Sequence, residues 1–199
     1  VRAEKHPLTP RSGAFRPVLS PTRVVELCCG VAPVAAAILH ELTPTHGTDG
    51  VPLEVHAADI DPAAVACART NLADRGQVHT GDLYDALPAT LRGRIDVVVA
   101  NAPYVPSGAV ALMPPEARDH EPRTALDGGV DGLDVQRRII AEAPAWLAPG
   151  GRLLIETSSH QADATVVACD AAGLVTRMVT DDDLDATAVV ATASVDSTG

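Results

Sequence analysis

Ile95-Asp96-Val97-Val98-Val99-Ala100-Asn101-Ala102-Pro103-Tyr104 is the stretch from which the fold can be read. Residues 95–100 are apolar apart from Asp96, too short for a helix and long enough for a strand, as expected at the buried centre of a parallel sheet. The run stops abruptly at Asn101-Ala102-Pro103-Tyr104, and residues 105–132 carry so many Pro, Gly and charged residues that they read as one long loop.

Upstream, the same pattern occurs twice more. Val24 to Leu27 and Leu53 to Ala58 are β-rich runs, the first passing into a loop within Glu26 to Val31 and the second ending in Asp59. Pro33 fits the first turn of an Ala-rich helix, Val34 to Leu42, and Thr43 to Pro52 reads as a loop. Asp61-Pro62 is an N-cap and first-turn proline opening a second helix to about Ala73, with Val65, Ala68 and Leu72 on one face. Gln77 to Thr80 is a third short strand leading into Gly81-Asp82.

Downstream, Leu133 to Trp146 has helical period, with Val135, Ile139, Ile140, Ala143 and Trp146 on the covered face. Pro149-Gly150-Gly151 is expected to end it and turn. A strand at Leu153 to Glu156, a helix near Gln161 to Ala172 and strands near Leu174 to Val179 and Thr187 to Ala193 complete the series. Strands alternating with helices predict an α/β domain, a mostly parallel sheet between two helical layers.

Composition narrows the function. Aromatics are only 2% of the chain, so Val, Leu, Ile and Ala must fill the core. The net charge of -11, with Lys5 the only lysine, argues against broad nucleic-acid binding. Cys28, Cys29, Cys67 and Cys169 form no CxxC pair and read as reduced, buried thiols of a cytoplasmic protein. No eighteen apolar residues run together, which argues against a membrane-spanning helix. Residues 1–22 read as a poorly structured extension without a signal-peptide core, and 23–199 as the one folded domain.

Three features fall where such a sheet places ligands, beyond the carboxyl ends of its strands: Glu26 to Val31, Asp59, and Asn101 to Tyr104. Asp59 offers two carboxylate oxygens to ribose hydroxyls, and is otherwise a solvated strand end. In the tetrapeptide, the Asn101 side-chain oxygen and the Ala102 carbonyl can each accept one N–H of an NH2 group, while Tyr104 stacks on a planar acceptor. Asp181-Asp182-Asp183-Leu184-Asp185 lacks calcium-loop spacing and reads as a solvated loop. Ser158-Ser159-His160 has no nucleophile elbow before it, and Trp146 reads as a core anchor.

From about Val24 to Val190 these residues resemble the N5-glutamine methyltransferases that modify peptide chain release factors, S-adenosylmethionine-dependent enzymes of class I. Asn101-Ala102-Pro103-Tyr104 stands for the family's Asn-Pro-Pro-Tyr, a motif that alone also suits DNA adenine or RNA guanine N-methyltransferases. Pro115-Glu116-Ala117-Arg118-Asp119-His120-Glu121-Pro122 and Ala125-Leu126-Asp127-Gly128-Gly129-Val130-Asp131-Gly132-Leu133 are similar to the glutamine-modifying group.

The resemblance implies a Rossmann-like, seven-stranded class I methyltransferase fold with an antiparallel last strand. It implies S-adenosylmethionine held by Glu26, Cys28, Gly30, Asp59, Ile60, Asp82, Leu83 and Asn101, with Asn101, Ala102, Pro103 and Tyr104 catalytic. A protein glutamine is expected to be held by Asn101, Pro103, Tyr104, Glu116 and Arg118, on a partner such as a release factor. Two departures stand out: of three alternating glycines in the first loop only Gly30 remains, and little precedes Arg23 where the family carries a helical domain. Other readings are an acceptor that is a nucleobase or small amine, and a module that no longer binds cofactor.

Overall fold

The computed structural model describes residues 21–42, 52–114 and 122–195. Along them run β1 (Thr22–Leu27), α1 (Pro33–Leu42), β2 (Leu53–Asp59), α2 (Pro62–Leu72), β3 (Gln77–Thr80) and β4 (Ile95–Ala100). After a long connection come α3 (Arg123–Leu126), α4 (Asp134–Trp146), β5 (Leu147–Thr157), α5 (Ala162–Ala171), β6 (Val175–Asp181) and β7 (Ala186–Thr192). The strands make one sheet in the order β3-β2-β1-β4-β5-β7-β6, and β7 alone runs antiparallel to its neighbours.

Period-two alternation decides which helix covers which face. On β1, Val24 packs with Val55, Ala57, Ala35, Leu39, Ala68 and Leu72, so this face lies under α1 and α2. Val25 and Leu27 point the other way, onto a larger cluster with Ile139, Ile140, Ala143 and Trp146 of α4 and Cys169 of α5. Each fully buried Leu or Ile in that cluster contributes about 1.5–3 kcal/mol of burial. Trp146 anchors it, its ring stacked on buried Tyr84 with centroids 5.5 Å apart. Asp61 caps α2 as expected, its carboxylate accepting from the Ala63 N–H at 2.9 Å.

Three expectations need correction. Pro149-Gly150-Gly151 does not turn the chain out of the sheet but lies within β5, which starts at Leu147. Ile95 pairs with Leu147 and Val97 with Arg152, so two steps on β4 answer five on β5. The surplus is folded into a bulge, tight enough that a Cβ on Gly151 would sit 2.7 Å from the Ile95 carbonyl oxygen. The long loop after Tyr104 is broken by a one-turn 3-10 helix at Val110–Leu112, by α3, and by a parallel bridge from Val105 to Asp127. The thiols are unpaired, but only Cys29 and Cys169 are buried: Cys28 is half-buried and Cys67 exposed, on the outer side of α2.

Residues 1–20, expected to be a poorly structured extension, and 43–51, expected to be a loop, lie outside the described residues. Among those described, no helix is long and apolar enough to cross a membrane.

Candidate functional site

Strand order reverses between β1 and β4, where β2 and β3 build outward on one side and β5 to β7 on the other. Loops leaving two strands at such a point diverge and open a crevice beyond their carboxyl ends. Register decides what meets there. Leu27 pairs with Ala58 and with Ala100, so the next residues, Cys28, Asp59 and Asn101, come side by side along the sheet edge, and Thr80 pairs with Asp59 beyond them.

The wall on the β1 side is a fixed cradle. Glu26 shares the face of Val24, which points it at the start of α1, and its carboxylate accepts from the Ala35 N–H at 2.7 Å and the Val34 N–H at 3.4 Å. Those are orphan donors of a helix whose first residue, Pro33, has no N–H to offer. Burial pushes the Glu26 carboxyl up to about 7, the two N–H groups pull against that, and the nearby Asp59 charge adds to the rise.

Asp59 holds the loop from the other side. One carboxylate oxygen accepts from the Gly30 N–H at 2.7 Å and the other from the Asp61 N–H at 2.9 Å. Since each carboxylate oxygen has two lone-pair sites, both keep acceptor capacity. The Asn71 amide donates to the Val31 carbonyl at 2.9 Å, tying the loop to α2. In this cradle Cys28, Gly30 and Ala32 all have positive φ, at +52°, +52° and +59°. The alternating left-handed backbone that suits three glycines is therefore kept with only one of them. The space beside Gly30 is open, Val31 is 47% exposed, and the Cys28 side chain packs back against the larger core cluster, so neither plugs the crevice.

Ile60, just past Asp59, is exposed. After β3, Leu83 is buried in the core and Asp82 is half-turned to solvent, its carboxylate accepting from Arg138 of α4 at 2.7 Å.

Across the crevice Asn101 is exposed, and neither its side chain nor the Ala102 carbonyl takes a hydrogen bond from the described residues. Ala102 is buried, while Pro103 and Tyr104 are half-buried. The turn is clipped from behind by residues 126–132: Val105 N–H donates to the Leu126 carbonyl at 3.0 Å and Gly128 N–H to the Val105 carbonyl at 2.8 Å. Ser107 adds its hydroxyl to Asp127 at 2.6 Å, which with the Gly129 N–H and Arg123 holds that carboxyl below its usual range.

Strand register thus sets Cys28, Asp59 and Asn101 abreast at the carboxyl edge of the sheet, with Gly30 bonded to Asp59, Glu26 and Ala102 buried beside them, and Ile60, Asp82 and Leu83 following β2 and β3. Glu116 and Arg118 lie outside the described residues. Sequence reasoning passed over Arg138 and Gln161, and the glycine triplet of Asp127-Gly128-Gly129-Val130-Asp131-Gly132 was the available sign that this segment packs closely.

No family model matches the chain. Its sequence is similar to a release factor glutamine methyltransferase of Cereibacter sphaeroides, 37% identical over 156 residues covering 76% of this chain and 52% of the relative. A ribosomal protein uL3 glutamine methyltransferase of Burkholderia pseudomallei is 40% identical over 149 residues, 70% of this chain and 46% of the relative. The chain spans about half the length of these curated relatives. Among solved structures, a methyltransferase from Pyrococcus furiosus superposes with a TM-score of 0.62 at 12% identity over 89% of this chain and 77% of that one. A ribosomal protein L11 methylase from Lactobacillus delbrueckii gives 0.59 at 14% identity, over 88% and 71%.

Proposed function

We infer, for a chain with the class I methyltransferase fold and sequence homology to glutamine methyltransferases, transfer of a methyl group from S-adenosylmethionine to the side-chain amide nitrogen, N5, of a protein glutamine. The observation that supports this reading is a pair of acceptors, the Asn101 side chain and the Ala102 carbonyl, that take no hydrogen bond from the described residues and follow β4 at the level where Asp59 ends β2 on the other side of β1.

The residues present fit the cofactor. Asp59 keeps acceptor capacity for ribose hydroxyls, the cradle is open at Gly30, and Ile60 gives an exposed apolar surface beside them. When bound, S-adenosylmethionine supplies an electrophilic methyl carbon. Asn101 and the Ala102 carbonyl each accept one N–H of the glutamine amide, which turns the nitrogen lone pair toward the Cys28–Gly30 side of the crevice. Tyr104 and Pro103 hold the plane of that amide. Methyl displacement is in-line, so orientation supplies most of the barrier reduction, and the surplus proton leaves afterwards without a dedicated base. Replacement of the family's proline by Ala102 leaves the accepting carbonyl in place.

The acceptors named by the relatives, a release factor and ribosomal protein uL3, are the first to try. For Asn101→Ala, we expect the methylation rate of an accepted protein to fall by at least about a hundredfold, while calorimetry gives S-adenosylmethionine affinity within about twofold of the parent. A parental rate with normal cofactor binding would remove Asn101 from this role.

A further inference from the structure

Gln161 stands at the N-terminus of α5, and its side chain reaches across to the turn that follows β4. Its amide nitrogen donates to the Tyr104 carbonyl at 2.9 Å and to the Asp131 carbonyl at 3.0 Å, while its amide oxygen accepts from the Ser158 hydroxyl at 2.7 Å. Two carbonyls on one side and a hydroxyl on the other leave a single sensible orientation for the amide, because the reverse would set oxygen against oxygen twice. One side chain therefore links the turn at Tyr104, the clip at Asp131 and the end of β5.

The base of this link is itself held. Thr165 Oγ1, 1% exposed, lies 3.1 Å from the Gln161 carbonyl and 3.0 Å from the Gln136 amide oxygen, and the Gln136 amide donates to the Glu156 carbonyl at 3.2 Å. Gln136 and Thr165 are both buried, so α4, β5 and α5 fix where Gln161 begins. The fit at the far end leaves no slack: a Cβ on Gly132 would lie 2.3 Å from the Tyr104 oxygen and 2.4 Å from the Gln161 amide nitrogen.

We propose that Gln161 is a positioning residue for methyl transfer: by gripping the Tyr104 and Asp131 carbonyls it sets where Asn101 and the Ala102 carbonyl sit relative to the cradle on β1. This rests on the glutamine-methylation reading above. Gln161 touches neither reacting atom, and acts through the backbone of the turn. A displacement of about 1 Å at such a turn costs about a hundredfold in rate.

The test uses the full chain with Gln161→Met, which keeps length and removes both donors, and Gln161→Glu, which restores one donor only when protonated. In Gln161→Met, the amide exchange of Val105 and Gly128 should speed up at least about tenfold. S-adenosylmethionine affinity should stay within about twofold while kcat falls about ten- to a hundredfold. Gln161→Glu should regain kcat as pH falls through its carboxyl titration, a gain absent from the parent and from Gln161→Met, because only the protonated acid can donate to Tyr104. Leu174→Ala, which thins the core cluster without touching the Gln161 links, should lower thermal stability and keep kcat within about threefold. Unchanged exchange at Val105 and Gly128, a Gln161→Glu profile without the low-pH gain in a parent that is active, or an equal loss of kcat in Leu174→Ala would each overturn the proposal. If the parent methylates no glutamine acceptor while exchange still accelerates in Gln161→Met, the glutamine reading fails and the brace stands.

Discussion

Cys28 carries a Cβ and a thiol in a backbone conformation that L residues adopt at a cost of about 1–2 kcal/mol. For Cys28→Gly, relief of that strain is offset by lost packing of a half-buried side chain and by the freer unfolded chain, each about 0.5–1 kcal/mol, so stability should move by less than about 1 kcal/mol. Because the thiol packs onto the core rather than into the cradle, S-adenosylmethionine affinity should stay within about twofold of the parent by calorimetry, and a gain of about tenfold or more would show that Cys28 obstructs the cradle. Glu26 yields a pH prediction with a definite sign. Its carboxyl rises from 4.5 to about 7 on folding, so the folded state holds the proton more tightly. Its contribution is fully present below 4.5 and is lost as pH rises through 7, a change of roughly 3 kcal/mol. Glu26→Gln retains an amide oxygen for the Ala35 N–H and has nothing to titrate. Denaturant melts between pH 4.5 and 8 should therefore show a decline in the parent that flattens in the variant.

Among the elements, the clip formed by residues 126–132 departs most from what its composition announces. Polar, glycine-rich sequence ordinarily marks a solvated loop, yet here the glycines allow backbone to lie directly on backbone behind Tyr104. Gly132 has φ +79° and no room for a Cβ. Gly132→Ala should thus destabilise the protein by about 2–3 kcal/mol, which for a chain of this size lowers Tm by about 4–12 °C in calorimetry. A Tm within 1 °C of the parent would show that the clip yields without strain. The bulge of β5 is another case of composition misread: Pro149-Gly150-Gly151 looks like a helix stop and turn, and becomes part of a strand because β4 can pair on both sides of it. Helices were easier to read, since Val65, Ala68 and Leu72, or Ile139, Ile140, Ala143 and Trp146, announce a face by spacing alone.

For the molecule as a whole, the four thiols sample its layers from surface to core. Cys67 is exposed, whereas Cys29 and Cys169 are buried in clusters on opposite faces of the sheet, and burial pushes the thiols of Cys28, Cys29 and Cys169 up to about 12. Alkylation at pH 8 followed by mass spectrometry should label Cys67 at least about a hundredfold faster than Cys29 and Cys169, which react only through unfolding. Comparable rates at all three would contradict the packing of both faces. What the chain's own residues determined was the set of strands and helices, their alternation, and the short polar segments that follow β1, β2 and β4, because hydrophobic period, proline and capping residues act within a few positions of one another. Tertiary structure alone decided that Cys28, Asp59 and Asn101 stand abreast, that Arg138 meets Asp82, and that Gln161 holds a turn 57 residues away. Those contacts depend on strand register and on the reversal of strand order, which join positions far apart in the chain and leave no periodic trace in it.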